Sequence, residues 1–258
     1  MRKSRIKAKL ARREPVHVVT LHLTDPSVFE LASLLGFDGI WLDMEHHGYS
    51  LETAANLMRA ARVGVSDVCV RPAKGEFMRM GRMLEAGAQG IIYPRCTSAD
   101  EAAEVVRWAK FAPLGTRGID AAGADCPYGM MPLTDYIREA NEQTFIVIQV
   151  EDAQGVAAAA EILAVDGVNV VILGPGDFSI LSGIAGQWDH PLVRDAQRTL
   201  AAAARATGKH WGYPCGTVEL AKQVIADGAT FISYGADILM VKKGLESALA
   251  DFRTVLGT

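Results

Sequence analysis

Short apolar runs alternate with longer amphipathic segments along the whole chain. Eight of the runs predict strands, and each is followed by a segment whose apolar residues recur at helical spacing. The strand runs are HVVTLHL, DGIWLDM, DVCVRP, GIIYPR, FIVIQVE, NVVILGP, KHWGYP and TFISYG. Strands that are apolar on both faces and joined through helices pair in parallel under a helical cover. The pattern predicts an α/β protein, a single (β/α)8 TIM barrel over residues 1–258.

A doubly wound open sheet is the main alternative. That fold usually carries a G-x-G-x-x-G loop after its first strand, and LHLTDPS has no such loop. A Pro/Gly/Ser-rich linker would favour two domains, but the chain contains none. We therefore expect one barrel domain.

Small and polar residues mark the ends of the predicted helices. Residues expected at N-cap positions are Ser50, Ser98 and Thr217. Glycines expected in a left-handed conformation after a helix are Gly36, Gly64, Gly87 and Gly228. Two connections, roughly 112–133 and 174–189, are longer than a barrel needs. We interpret the first as an active-site or subunit-interface loop.

The two ends of the chain add helices to the barrel pattern. The basic segment MRKSRIKAKLARRE predicts an extra N-terminal helix with Ile6 and Leu10 packed inward, although such a segment can also touch nucleic acid or an acidic membrane. The last segment, DILMVKKGLESALADFRTVL, has apolar residues at helical spacing along its length. Packing of this helix on its own barrel is the simplest expectation.

Composition narrows the class of partner. The net charge of −4 gives no basic footprint for nucleic acid, so we expect a small-molecule substrate. The four cysteines are scattered without a C-x-x-C pair, which favours reduced cysteines and a cytoplasmic location. Neither a signal peptide nor a membrane span is apparent, so we expect a soluble protein without membrane contact.

Ionisable residues cluster where the predicted strands end, which is the active-site end of a TIM barrel. Glu151 and Asp177 follow successive strands and offer only oxygen ligands, which favours Mg²⁺ or Mn²⁺, with Co²⁺ or Zn²⁺ possible. The alternative is that each acid only caps the helix that follows it. Gly174-Pro175-Gly176 can bring main-chain N–H groups close to a ligand.

Three further strand ends supply candidates for proton transfer and anion binding. His46 can exchange a proton near neutral pH, with Asp43 or Glu45 orienting it. Arg71 suits a carboxylate or an enolate oxygen, and its alternative role is a salt bridge to Glu45 or Glu85. Arg95 and Arg117 are expected first at the surface or at an interface.

In these positions the chain resembles the metal-dependent class II pyruvate aldolases of the HpcH/HpaI family. The shared motifs run over nearly the whole chain. They are D-x-E-H (43–46), V-R-P (70–72), L-E-A-G-A-Q-G (84–90), P-L-G-x-R-G (113–118), Q-V-E (149–151) and G-P-G-D-F-S (174–179). The resemblance implies reversible cleavage of a 4-hydroxy-2-oxo acid to pyruvate and an aldehyde through a metal-stabilised pyruvate enolate.

The resemblance also implies roles for single residues and for assembly. Glu151 and Asp177 would bind the metal, and Gln149 with the backbone at Gly176 and Asp177 would hold the pyruvate carboxylate. Arg71 would stabilise the enolate and His46 would act as acid and base. Glu85 stands where the family commonly has an Asp that supports this histidine, so its longer side chain would tune His46 differently. A homo-hexamer, a trimer of dimers with exchanged C-terminal helices, is implied as well.

Other activities remain open at this point. The same metal-enolate chemistry would serve an oxaloacetate decarboxylase or a citrate-lyase-like enzyme. Schiff-base aldolase chemistry needs a lysine, but NVVILGP has none, Lys209 precedes its strand, and only Lys74 lies near a strand end. A barrel that binds a metabolite without catalysis is the remaining alternative.

Overall fold

The computed structural model describes residues 1–257, whose eight strands form one closed parallel barrel in chain order. The strands are β1 (Val16–Leu21), β2 (Gly39–Asp43), β3 (Asp67–Arg71), β4 (Gly90–Tyr93), β5 (Phe145–Val150), β6 (Val170–Leu173), β7 (His210–Cys215) and β8 (Phe231–Ala236). All eight predicted strands and the predicted barrel are confirmed.

Twelve α-helices accompany the strands within the described residues. They are α1 (Arg5–Ala11), α2 (Pro26–Leu34), α3 (Leu51–Ala60), α4 (Phe77–Ala86), α5 (Ala99–Ala109), α6 (Leu133–Gln143), α7 (Ala153–Ala157), α8 (Ala159–Ala164), α9 (Pro175–Leu181), α10 (Pro191–Thr207), α11 (Val218–Ala226) and α12 (Asp237–Leu256). Every residue of β2, β4, β5 and β6 is buried, as expected for strands between a packed interior and a helical layer.

Helix α1 closes the amino-terminal end of the barrel. Ile6 and Leu10 are 0% and 3% exposed, which confirms the predicted inward packing. Asp67, the first residue of β3, accepts hydrogen bonds from the Ser4 hydroxyl at 2.7 Å and the Ile6 N–H at 2.8 Å. The buried Asp67 carboxylate thus accepts a free N–H group in the first turn of α1, although Asp67 and Ile6 are 61 positions apart in the chain.

The helix ends follow the sequence signals with one exception. The side chains of Ser50, Ser98 and Thr217 cap α3, α5 and α11 as predicted. Three of the four glycines predicted to be left-handed have a positive φ, namely Gly36, Gly87 and Gly228. The prediction for Gly64 is wrong, because its φ is −122°. A Cβ there would lie 2.4 Å from the main chain of Ser33, so close packing accounts for this glycine.

Both long connections contain ordered structure. The segment 174–189 holds α9. The segment 112–133 follows α5 and contacts the last turn of α4, where the Ala124 N–H donates to the Glu85 carbonyl. That position is the amino-terminal end of the barrel, so an active-site role within the same chain is wrong. Arg117 in this segment was expected at the surface or at an interface, but it is buried within its own chain and bonded to Asp125 at 2.7 Å.

Helix α12 leaves the barrel with its apolar residues uncovered. Leu245, Leu249 and Phe252 are 68%, 52% and 61% exposed. Packing of this helix along its own barrel, the simplest expectation, is therefore wrong. No helix among residues 1–257 is long and apolar enough to cross a membrane.

Candidate active site

A cavity of about 340 Å³ opens at the carboxyl ends of the strands. It is lined by seven of the predicted site residues, namely Asp43, His46, Arg71, Gln149, Glu151, Gly176 and Asp177. Barrel topology gathers them, since they lie at or just after the carboxyl ends of four strands, β2, β3, β5 and β6. Glu85 is the predicted residue that does not line the cavity.

Arg71 is held by Asp43 on the neighbouring strand. The two residues are register partners in the β2–β3 pair. The Arg71 Nε and Nη2 atoms donate to the two Asp43 oxygens at 2.9 and 2.6 Å, and the guanidinium lies 5.1 Å from the Trp41 ring. Burial alone would raise the pKa of Asp43, but the contacts with Arg71 bring it below its ordinary value. The guanidinium fork of Arg71 is thus fixed, and its Nη1 atom points towards Gln149 Oε1 at 3.5 Å.

Glu151 is positioned by its neighbours on β4 and β5. The Gln149 side-chain amide donates to Glu151 Oε1 at 2.5 Å, and the Arg95 main-chain N–H donates to the same oxygen at 3.3 Å. Arg95 has a φ of +53°, an uncommon conformation for a bulky residue. Gly174 packs against this group, since a Cβ there would lie 2.7 Å from both Gln149 Nε2 and Glu151 Cγ.

The carboxyl groups of Glu151 and Asp177 perturb each other. Burial, together with the contact and the charge of Asp177, raises the pKa of Glu151 to about 8. The contact with Glu151 lowers the pKa of Asp177. Neither acid caps a helix, because the N-caps of α7 and α9 are Asp152 and Gly174, so the capping alternative is wrong. The pair shares one proton near neutral pH unless a cation replaces it.

His46 lies at the open rim of the cavity. Its side chain is 55% exposed, and its Nε2 lies 3.5 Å from Glu45 Oε2. Glu45, rather than Asp43, is therefore its acidic neighbour. Burial raises the pKa of Glu45, and its Oε2 has no hydrogen-bond partner in the described part of the chain.

Glu85 lies at the opposite end of the barrel from His46. It belongs to the last turn of α4, just before β4 begins, whereas His46 follows the end of β2. Its Oε1 accepts the Asp120 N–H at 3.3 Å. Within one chain Glu85 cannot contact His46.

His22 and Asp237 also reach this end of the barrel, although the sequence analysis did not select them. His22 lines the cavity, and its Nδ1 lies 3.0 Å from Asp237 Oδ1. The signal was available, because His22 is the last polar residue of the run HVVTLHL and directly follows β1, which ends at Leu21. It therefore stands at a strand end, as the predicted site residues of strands two, three, five and six do.

The sequence model of the HpcH/HpaI aldolase/citrate lyase family matches residues 18–243. The chain belongs to the HpcH/HpaI aldolase/citrate lyase family. The resemblance inferred from the motifs is thereby confirmed, and membership places the protein among the carbon–carbon lyases.

Individual HpcH/HpaI relatives align over nearly their full length. A hydroxypyruvate/pyruvate aldolase of Delftia acidovorans is 31% identical over 98% of this chain and 93% of its own. A 4-hydroxy-2-oxo-heptane-1,7-dioate aldolase of Salmonella arizonae is 32% identical over 97% and 95%. The crystal structure of a Burkholderia cenocepacia family member superposes with a TM-score of 0.90 at 30% identity, covering 97% and 100% of the two chains. These HpcH/HpaI proteins share the whole barrel with this chain.

Proposed function

We propose that the protein is a class II aldolase that reversibly cleaves a 4-hydroxy-2-oxo acid to pyruvate and an aldehyde. The observation that carries this proposal is the pair of buried Glu151 and half-buried Asp177, set in one cavity with the fixed guanidinium of Arg71. A carboxylate pair for a divalent cation and a fixed positive charge are what an enolate-forming site needs. The aldolase relatives support the same reaction class.

The donor set fits a hard divalent cation. Glu151 and Asp177 face each other closely enough that one holds a proton near neutral pH, and a cation would replace that proton. Residues 1–257 contain no group of three or more His, Cys, Asp or Glu side chains arranged for a metal. Two carboxylates with the remaining positions open to water or substrate match Mg²⁺ or Mn²⁺, and Co²⁺ or Zn²⁺ remain candidates.

Binding of pyruvate follows from the groups around that pair. A divalent cation held by Glu151 and Asp177 supplies Lewis acidity towards the carboxylate and 2-oxo groups of the substrate. The Gln149 side chain and the N–H groups of Gly176 and Asp177 at the start of α9 would hold the substrate carboxylate. Nη1 of Arg71 would donate to the developing enolate oxygen, since Nε and Nη2 are bonded to Asp43.

Cleavage requires one proton acceptor and one proton donor. In the cleavage direction His46 would take the proton of the C4 hydroxyl, the C3–C4 bond would break, and its electron pair would form the pyruvate enolate as the aldehyde leaves. A proton returned to C3 then gives pyruvate. Glu45, 3.5 Å from His46, would stabilise the protonated imidazole.

Assembly would complete the site. The uncovered apolar face of α12 has a counterpart in a groove lined by Val218, Ala221, Ile225 and Ile232. We infer that α12 of one copy fills this groove on another, within a homo-hexamer. Because Glu85 lies far from His46 in its own chain, the predicted support of His46 by Glu85 requires a second copy.

Pyruvate release from a 4-hydroxy-2-oxo acid tests the proposal. Treatment with a chelator should abolish release, and Mg²⁺, Mn²⁺ or Co²⁺ should restore it. Asp177→Ala should lose metal binding and activity while its circular dichroism spectrum stays unchanged. Glu161→Ala, at an exposed helical acid of α8 outside the cavity, serves as the matched control. Activity that persists after complete chelation would disprove the metal-dependent mechanism.

A further inference from the structure

A buried carboxylate fixes the imidazole of His22 at the mouth of the barrel. Asp237, whose side chain is 5% exposed, accepts main-chain N–H groups of His22, Leu23 and Ile238 at 2.7 to 2.9 Å. Its Oδ1 also lies 3.0 Å from Nδ1 of His22. The Tyr49 hydroxyl bonds to the His22 carbonyl, and His47 packs on the His22 ring with centroids 4.8 Å apart. His22 is thus held from both its main chain and its ring.

The other ring nitrogen of His22 remains for a ligand. Ionised Asp237 only accepts hydrogen bonds, so Nδ1 carries a hydrogen and Nε2 of the neutral ring is an acceptor. No hydrogen bond to Nε2 occurs among residues 1–257, and the ring lines the cavity with 23% of the side chain exposed. The Nε2 atom of an imidazole fixed in this way can accept a hydrogen bond from a hydroxyl group of a ligand.

The position of His22 assigns it to the aldehyde half of the substrate. In a barrel of eight strands in chain order, β1 lies across from β5, which carries Gln149 and leads into Glu151. Beside His22 the hydroxyl groups of Thr20 and Ser233 lie 3.3 Å apart and also line the cavity. This side of the cavity therefore offers neutral hydrogen-bonding groups.

The charges of the residues that line the cavity distinguish an aldehyde that carries a carboxylate from an uncharged aldehyde. Arg71 is the one Lys or Arg residue among the described residues that line the cavity, and Asp43 engages two of its nitrogens. Among the residues that line this cavity, a second substrate carboxylate would therefore lack a free cationic partner. Building on the proposed function, we propose that His22, positioned by Asp237, is a specificity residue that accepts the hydroxyl group of an uncharged hydroxyaldehyde.

Aldol addition of pyruvate to three aldehydes tests this inference. The aldehydes are glyceraldehyde, propanal, which lacks the hydroxyl groups, and succinic semialdehyde, which carries a carboxylate. The wild-type protein should prefer glyceraldehyde. His22→Leu should lower kcat/KM for glyceraldehyde about 10-fold, mainly through KM, because one hydrogen bond is lost, and should leave propanal unchanged. His190→Asn, which retains an N-cap on α10, is the matched histidine control.

Deuterium exchange into the methyl group of pyruvate, followed by NMR, reports enolate formation without any aldehyde. This exchange should be the same in His22→Leu and the wild-type protein. A preference for succinic semialdehyde, or equal losses for all three aldehydes in His22→Leu, would overturn the role of His22 while intact exchange upholds the proposed function. Absence of metal-dependent exchange in the wild-type protein would overturn both proposals.

Discussion

Glu151 directly follows β5, and Asp177 lies in the first turn of α9 after the neighbouring strand β6, with their carboxyl groups in contact. Burial and this contact raise the pKa of Glu151, and the contact lowers the pKa of Asp177. Two carboxylates in contact, one of them buried, cannot both ionise easily, so one proton stays with the pair near neutral pH. The same arrangement suits a divalent cation, whose charge would offset the repulsion. Proton binding and metal binding therefore compete at one place.

This competition predicts metal affinity that depends on pH. The pKa of Glu151 is about 8 without metal, so below pH 8 the cation must displace a proton. Affinity for Mn²⁺ should rise about tenfold per pH unit below 8 and level off above it. Isothermal titration calorimetry between pH 6.5 and 9, in buffers of different ionisation enthalpy, would measure both affinity and proton release. Affinity that stays constant over this range would contradict the shared proton.

The fork geometry of Arg71 predicts that a lysine cannot replace it. Arg71 uses two nitrogens on Asp43 and directs a third into the cavity, whereas a lysine has one nitrogen for both tasks. Arg71→Lys should reduce kcat about 100-fold, the usual effect of losing one donor to a developing oxyanion. Steady-state kinetics would measure it, with Arg79→Lys on the exposed face of α4 as the matched control. A loss confined to KM would argue against a role in stabilising the enolate.

Local pattern was enough to predict the barrel and seven of the residues that line its cavity. Each strand is a buried apolar run, and a strand end places the next side chain at a known end of the barrel, so Glu151 and Asp177 could be paired from sequence. The pairing of Asp43 with Arg71 depends on strand register, which the apolar pattern does not specify. His22 and Asp237 are 215 positions apart, and their contact requires closure of the barrel between β1 and β8.

The remaining differences arise from packing between distant segments. Arg117 is polar and lies in a long connection, which predicts exposure, but its pair Asp125 and the Tyr136 hydroxyl bury it. Gly64 follows a helical pattern, yet its close approach to Ser33 explains the glycine. Neither contact leaves a signal in the local sequence.

Exchange of α12 between copies of the chain predicts that a charge introduced either on the apolar face of α12 or in the groove weakens the assembly. Leu249→Glu lies on the apolar face of α12 and Ile225→Glu lies in the groove of α11. Each should shift the protein to smaller species in light scattering, because a buried charge without a partner opposes docking. Ser247→Glu, on the opposite face of α12, should leave the molar mass unchanged. The same mass for all three variants would exclude docking through this face.

The raised pKa of Asp67 predicts that its contribution to folding stability depends on pH. Burial raises its pKa from 3.8 to about 6, although the hydrogen bonds from Ser4 and Ile6 act in the opposite direction. Between these two values the folded state binds the proton more strongly than the unfolded state. The contribution of Asp67 to the free energy of unfolding is therefore largest below pH 4 and falls as pH rises towards 6, by about 3 kcal/mol.

Substitution of Asp67 separates its charge from its hydrogen bonds. Asp67→Asn retains an oxygen for Ser4 and Ile6 but carries no charge, so its free energy of unfolding relative to wild type should rise between pH 4 and pH 7. Asp67→Ala should be less stable than Asp67→Asn at every pH, because the Ile6 N–H loses its buried acceptor. Urea unfolding at several pH values would measure these differences. A constant difference between Asp67→Asn and wild type would show that folding leaves the pKa of Asp67 unchanged, which would contradict this prediction.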